Sequence, residues 1–285
     1  MKPAAFAYHA PKSVEEAVAM LGEYAAEDGR ILAGGQSLVP TMAFRLAKPA
    51  HLIDINGIAA LEKLNVENGS LSIGACVRHA AFHRPALAGP LGALLTTVVH
   101  HIAHYPIRLR GTFCGSLAHA DPASEWCLVA ATVGADITAI STRGTRTIAA
   151  ADFFAGIMTT ALAEDELLAR VNLPVLSRDT RFGFCEFSRR AGDYAIAMTL
   201  ATLRLEGGAI VDPRVGVGGA EAFPRRIPEA EAALAGRAPN EAVLRAAADA
   251  AAHAIDPLED IQADAAYRRD LVRAMTRRAL ARACA

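Results

Sequence analysis

Paired cysteines, long apolar runs, basic tracts and the common dinucleotide-binding fingerprint are all missing from this chain of 285 residues, and each absence excludes something. The five cysteines (Cys76, Cys114, Cys127, Cys185 and Cys284) are scattered, and none forms a Cys-x-x-Cys pair. Neither a disulfide framework nor a zinc or iron–sulfur ligand set is therefore encoded. No stretch approaches the ~18–20 apolar residues needed to cross a bilayer. The first residues, MKPAAFAYHAPKSVEEAV, also lack the apolar core of a secretory signal. A soluble, cytoplasmic protein without a membrane span is expected. Net charge is -1, with no lysine or arginine run, so no nucleic-acid partner is expected either. Gly-x-Gly-x-x-Gly and its downstream acidic residue are absent, which argues against an ordinary Rossmann cofactor site.

What is present suits a globular chain with a sizeable core: 53% hydrophobic and 21% charged residues, long enough for two domains. Ser13 with Glu16 makes a capping box at the start of a helix. A short strand, Ile31–Ala33, stops at Gly34-Gly35, a helical turn covers about 42–46, and a second strand spans 51–55. Leu64–Val66 and Leu71–Ile73 flank an Asn-Gly turn and read as a hairpin. A helix is expected over 91–104, then a polar loop from Arg108 to Glu125, then a helix starting near Asp121 with Pro122 in its first turn. Strands follow at 136–140, 145–148 and 167–173. Beyond the boundary near 174–180, three strands (182–188, 196–205, 215–218) precede helices at 229–235, 241–255 and 265–283. That order predicts an α+β unit with a three-stranded antiparallel sheet. The arginines of the last helix (Arg268, Arg269, Arg273, Arg277, Arg278 and Arg282) read as a solvated face, with a partner surface as the second reading.

Two segments carry the chemistry. Ala33-Gly34-Gly35-Gln36-Ser37-Leu38 follows a strand directly; its glycines permit close ligand approach, and its amides and hydroxyl can cradle an anion. A Gly-Gly pair also serves as a plain tight turn. Arg108 to Glu125 is rich in glycine, hydroxyls and charge between apolar helices. Such a segment needs partners for its polar groups, which a bound ligand supplies. Asp121 and Glu125 can accept hydrogen bonds from ligand hydroxyls. Among the histidines, His100, His101 and His104 suggest a metal only superficially, since two of the three share a helix face and no carboxylate completes a set. His119 reads as a positioning residue, and Asp54 as a structural cap.

Together these segments resemble the FAD-binding medium subunit of the molybdenum hydroxylases, the family of carbon monoxide dehydrogenase, quinoline oxidoreductase and xanthine dehydrogenase. AGGQSL at 33–38 matches its A-G-G-Q/H-S-L. The run Gly111-Thr112-Phe113-Cys114-Gly115-Ser116-Leu117-Ala118-His119-Ala120-Asp121-Pro122 matches its G-T-x-G-G-S/N-L-A-H-A-D-P. Arg189 to Ala195 matches R-R-x-G-D-Y/F-A, and the resemblance spans the full length. It implies an N-terminal FAD-binding domain of the vanillyl-alcohol-oxidase (PCMH) type over 1–176, made of two α/β subdomains (roughly 1–57 and 58–176), and a C-terminal α+β domain over 177–285.

By position, the resemblance implies that Ala33, Gly34, Gly35, Gln36, Ser37 and Leu38, with Thr112, Cys114, Gly115 and Ser116, wrap the FAD pyrophosphate. It puts Asp121 and Glu125 along the ribityl or flavin region, Leu168 near the adenine or ring, and Tyr194 beside the isoalloxazine. No catalytic acid, base or nucleophile and no metal ligand is expected in this chain. The implied role is electron transfer, from two 2Fe–2S clusters on a small partner subunit, through FAD, to an external acceptor. A large partner subunit would hold the molybdopterin-type molybdenum cofactor and hydroxylate the substrate, weakly tilted towards an N-heterocyclic or aromatic compound; a dimer of heterotrimers is the usual assembly. Cys114 departs from the family's glycine, and its β-carbon is expected either to narrow the approach to phosphate or to sit in a backbone already compatible with it. Two other readings remain at this point: an autonomous FAD-dependent oxidase or dehydrogenase of the same fold, and an assembly subunit that has lost FAD.

Overall fold

The computed structural model describes residues 2–285. Near the N-terminus, β1 (Ala7–His9), β2 (Gly29–Leu32) and β3 (His51–Asp54) form a parallel sheet in the order β1-β3-β2. Parallel neighbours need crossovers, supplied by α1 (Val14–Tyr24) and α2 (Leu38–Ala43). Ser13 caps α1 by accepting from the Glu16 amide, while the Glu16 carboxylate reaches back to the Lys12 amide. The hairpin β4 (Leu64–Glu67) and β5 (Ser70–Gly74) turns at Asn68 and Gly69 with φ of 49° and 74°, the left-handed pair a tight hairpin turn requires.

Next come α3 (Pro90–Val99), the single turn α4 (Tyr105–Arg108), α5 (Phe113–His119) and α6 (Glu125–Val133). Three expectations change here. The first helix ends at Val99 rather than 104. The 108–125 segment is not one loop, because α5 forms inside it, capped by the Thr112 hydroxyl on the Gly115 amide. The following helix starts at Glu125 behind the cap Ser124 rather than at Pro122, because Asp121 spends its side chain on an Asx turn with the Ala123 amide. Strands β6 (Asp136–Ser141), β7 (Gly144–Ala149) and β10 (Leu167–Pro174) complete an antiparallel sheet ordered β4-β5-β10-β6-β7. Between them lie the short α7 (Ala150–Phe153), β8 (Phe154–Gly156) and β9 (Thr159–Thr160).

The last part holds β11 (Arg181–Phe187), β12 (Ala197–Glu206) and β13 (Ala209–Gly218), with a two-residue edge strand β14 (Arg225–Arg226) making a fourth where three were expected. Helices α8 (Pro228–Leu234), α9 (Glu241–Ala254) and α10 (Ala265–Cys284) cover this sheet. All nine residues of α6 are buried. This helix is apolar all round because it packs against β10 on one side and β12, β13 and β14 on the other. It joins the two halves, and its N-terminus opens at their junction. Arg268 corrects the solvated-face reading of the last helix: only 3% exposed, it donates to the carbonyls of Ile196 and Gly219 and to Asp260. Arg277, Arg278 and Arg282 are exposed as expected. No helix among the described residues is long and apolar enough to cross a membrane.

Candidate functional site

The chain leaves β2 into Ala33–Ser37 and enters α2, and this loop lies directly on the segment ahead of α5. A β-carbon added at Gly34 would meet Arg110 O at 2.5 Å and Gly111 Cα at 2.6 Å. Only glycine permits that approach, so the two glycine-bearing segments touch backbone to backbone. Between them opens a cleft of about 480 Å³. Ala33, Gly34, Gly35, Gln36, Ser37 and Leu38 line one wall, and Gly111, Thr112, Gly115, Ser116 and His119 another. The third wall, running from Met158 to Glu166, is held by Arg146, which donates to both oxygens of Glu166 at 2.7 Å and to the Ala161 carbonyl.

The two loops are also braced from behind. Asp54 accepts from the Tyr8 hydroxyl at 2.6 Å and from the Asn56 amide at 2.9 Å. The Asn56 side chain donates to Ala33 O at 2.7 Å and accepts from Arg78 at 2.6 Å, and Arg78 donates in turn to Arg110 O. A continuous polar chain therefore ties the first loop to the second. His79 backs the same joint: its amide donates to Gly111 O at 2.9 Å, and Nδ1 accepts from Trp126 Nε1 at 2.9 Å. Indole nitrogen can only donate, so His79 is neutral with its proton on Nε2, where it lines the cleft. Burial, reinforced by Arg108 and Arg78, pushes its pKa down to about 3. Sequence reasoning missed Asn56, Arg78 and His79. Asn56-Gly57 after a strand is a detectable turn signal; nothing local marks the other two.

Of the expected ligand positions, Cys114 and Leu168 are not brought to the cleft. The Cys114 side chain is 2% exposed and points into the core, its thiol on Ile73 O at 3.3 Å. Position 114 lies in the first turn of α5 with ordinary helical backbone, so its β-carbon does not narrow the cleft. Burial pushes the thiol well above the ordinary range, which removes it as a nucleophile. Leu168 is 5% exposed on β10, beside an irregularity in the pairing with β6, and belongs to the core.

Asp121, Glu125 and Tyr194 lie elsewhere, at the junction of the two halves. Pro122 O accepts from the Gly219 amide, which binds the loop before α6 to the C-terminal sheet. Tyr194 is 62% exposed, and its hydroxyl is raised by desolvation and then by the charges of Asp121 and Glu125. Glu125 is buried, and desolvation with the nearby Asp121 raises it to about 7. The histidines of 100–104 disperse: His100 packs edge-on to His83, His101 on Phe184, and His104 under Gly192. The cleft suits a phosphate-bearing cofactor, because glycine-lined backbone and hydroxyls face it and the acidic Glu166 is neutralised by Arg146.

Comparison with known proteins agrees with this geometry. Residues 4–176 match the model for the FAD binding domain in molybdopterin dehydrogenase, and residues 182–283 match the CO dehydrogenase flavoprotein C-terminal domain. The chain is 40% identical over 284 residues to the nicotine 6-hydroxylase medium subunit of Paenarthrobacter nicotinovorans, covering 99% of each. Among solved structures, carbon monoxide dehydrogenase from Hydrogenophaga pseudoflava superposes with a TM-score of 0.95 at 37% identity, covering 99% of this chain and 98% of that one. Quinoline 2-oxidoreductase from Pseudomonas putida 86 gives 0.92 at 36% identity, covering 100% and 98%. The chain belongs to the family of FAD-binding medium subunits of the molybdenum hydroxylases, and is an oxidoreductase subunit.

Proposed function

We propose that this chain carries electrons from 2Fe–2S clusters on a small partner subunit, through FAD, to an external acceptor. The observation that supports this most is the contact of Gly34 with Arg110 and Gly111, which turns two separate loops into one cradle without side chains. In that cradle the backbone of Gly34 to Ser37 and the first turn of α5, with the Thr112 and Ser116 hydroxyls, hold the pyrophosphate. Cys114 contributes backbone alone, and Leu168 supports the sheet beneath. Asp121 and Glu125 orient the ribityl end at the junction, and Tyr194 screens the ring from solvent. Bound FAD supplies the redox chemistry, while the protein positions it and tunes its potential.

The segments 1–176 and 177–285 act as FAD-binding and C-terminal units of one subunit. A large subunit carrying the molybdenum cofactor completes the complex, as a dimer of heterotrimers assembled in the cytoplasm. Its substrate is an N-heterocyclic or aromatic compound; nicotine and quinoline, named for two relatives, are both N-heterocycles. Purification from the native host without disrupting complexes, followed by an absorption spectrum and metal analysis, tests this. Molybdenum and about four irons per FAD, the load of two 2Fe–2S clusters, are expected. A solitary flavin-bearing chain that oxidises a substrate unaided would overturn the reading.

A further inference from the structure

One buried imidazole aims an unpaired donor at the cleft. His79 is 4% exposed, and backbone hydrogen bonds fix the strip of chain that carries it. Its amide donates to Gly111 O at 2.9 Å, and the Phe113 amide donates to Val77 O at 3.0 Å. With the bridge between Arg78 and Thr112, residues 77–79 pair antiparallel with 111–113, the start of the second glycine loop. His79 therefore holds its place against that loop without relying on its own side chain.

The ring is oriented as firmly as the backbone. Trp126, fully buried in the first turn of α6, donates its indole N–H to Nδ1 at 2.9 Å. An indole nitrogen cannot accept, so Nδ1 is the acceptor and the proton of the neutral ring is on Nε2. Burial, then Arg108 and Arg78, keep the ring neutral. The Nε2 end turns towards Gly111, where an added β-carbon would strike it. Glycine is what lets the imidazole reach the cleft wall there. Among the described residues, no protein group accepts from Nε2. A nearly buried donor without an acceptor is costly, and a ligand oxygen in the cleft supplies one.

The rest of the wall makes such a donor matter. No lysine lines the cleft, and Arg30, the arginine on its wall, is bonded to Asp28 at 2.7 Å. His119, the second imidazole on the wall, is fixed by no side-chain hydrogen bond among the described residues. An anion here is held by neutral donors set in place beforehand, as backbone amides are. Deepening the FAD reading above and resting on it, we propose that His79 is a ligand-binding residue whose Nε2–H donates to an oxygen of the FAD pyrophosphate. It joins the Thr112 and Ser116 hydroxyls on the second wall of the cradle, and Trp126 positions it from behind. No proton is transferred; the contact is a fixed hydrogen bond.

Removal of flavin from the intact complex, followed by binding of FAD, ADP or adenosine, tests this in wild type, His79→Gln and His79→Leu. His79→Leu is expected to weaken FAD and ADP at least about tenfold, the usual worth of a hydrogen bond to a charged acceptor. Adenosine, which has no phosphate, should bind unchanged. His79→Gln retains an N–H donor and should recover most of the loss. Equal weakening of all three ligands, or His79→Gln no better than His79→Leu, overturns the proposal and leaves His79 as a structural brace. A structure of the FAD-loaded wild-type complex decides the matter even where His79→Leu does not fold. There Nε2 should stand about 2.7–3.2 Å from a pyrophosphate oxygen; bound FAD with a longer separation overturns the proposal while the FAD reading stands. A wild-type complex that takes up neither FAD nor ADP sinks both together.

Discussion

Cys114 shows how much one side-chain direction decides. Because it fills core beside Ile73, Cys114→Gly should not tighten FAD binding, although it restores the family's residue. It removes a buried side chain and adds a glycine to a helix, so a loss of ~1–2 kcal/mol is expected. Denaturant titration reads the loss, and flavin titration should give an unchanged Kd. Gly34→Ala is the opposite case. Its β-carbon would strike Arg110 and Gly111 backbone, so the loops must part, and the purified subunit should lose most of its flavin absorbance. Both loops were legible as sequence, since glycine after a strand is a local signal. That Gly34 and Gly111 touch was not, because they lie far apart along the chain.

At the scale of elements, the polar chain Asp54–Asn56–Arg78 holds two loops that share no strand. Arg78→Met would release both Asn56 and Arg110 O. Weaker flavin binding is expected, with a modest shift in Tm, since Arg78 lies outside the main core; calorimetry beside flavin titration separates the two effects. Arg268 belongs to α10 but ties down three loop segments through its guanidinium, at Ile196, Gly219 and Asp260. Arg268→Met leaves buried carbonyls unsatisfied and should cost ~3–5 kcal/mol, read by chemical denaturation. A gain in stability would show that its burial is a net burden. Helical spacing placed this arginine correctly on a helix, yet it could not tell which turn faces the sheet. The same limit hid α5, because the glycines around Thr112 favoured a loop.

For the whole molecule, the buried acids and His79 shape stability against pH. Glu125 and Glu186 have folded values of about 7 and 8, above the ordinary 4.5. The native state therefore binds more protons than the unfolded one, and this contribution is complete at low pH and lost as pH rises through those values. His79 runs the other way: its folded value of about 3 lies below 6.5, so its contribution holds above 6.5 and fades as pH falls towards 3. Between pH 6.5 and 8, where His79 is silent, wild-type stability should fall with pH. Glu186→Gln should flatten that fall in urea titrations across the range, and an unchanged slope would mean that Glu186 ionises normally.

Local chemistry alone determined the two glycine loops, the cap at Ser13, the Asn-Gly hairpin, most strand positions and the family, because each depends on residues a few positions apart. Tertiary structure decided which residues stand behind those loops. Asn56, Arg78 and His79 brace the cleft, Cys114 and Leu168 turn into the core, and α6 is buried on every side. Each of these depends on which surfaces the topology presses together, and burial, which sets their protonation and partners, is a property of that packing rather than of sequence neighbours.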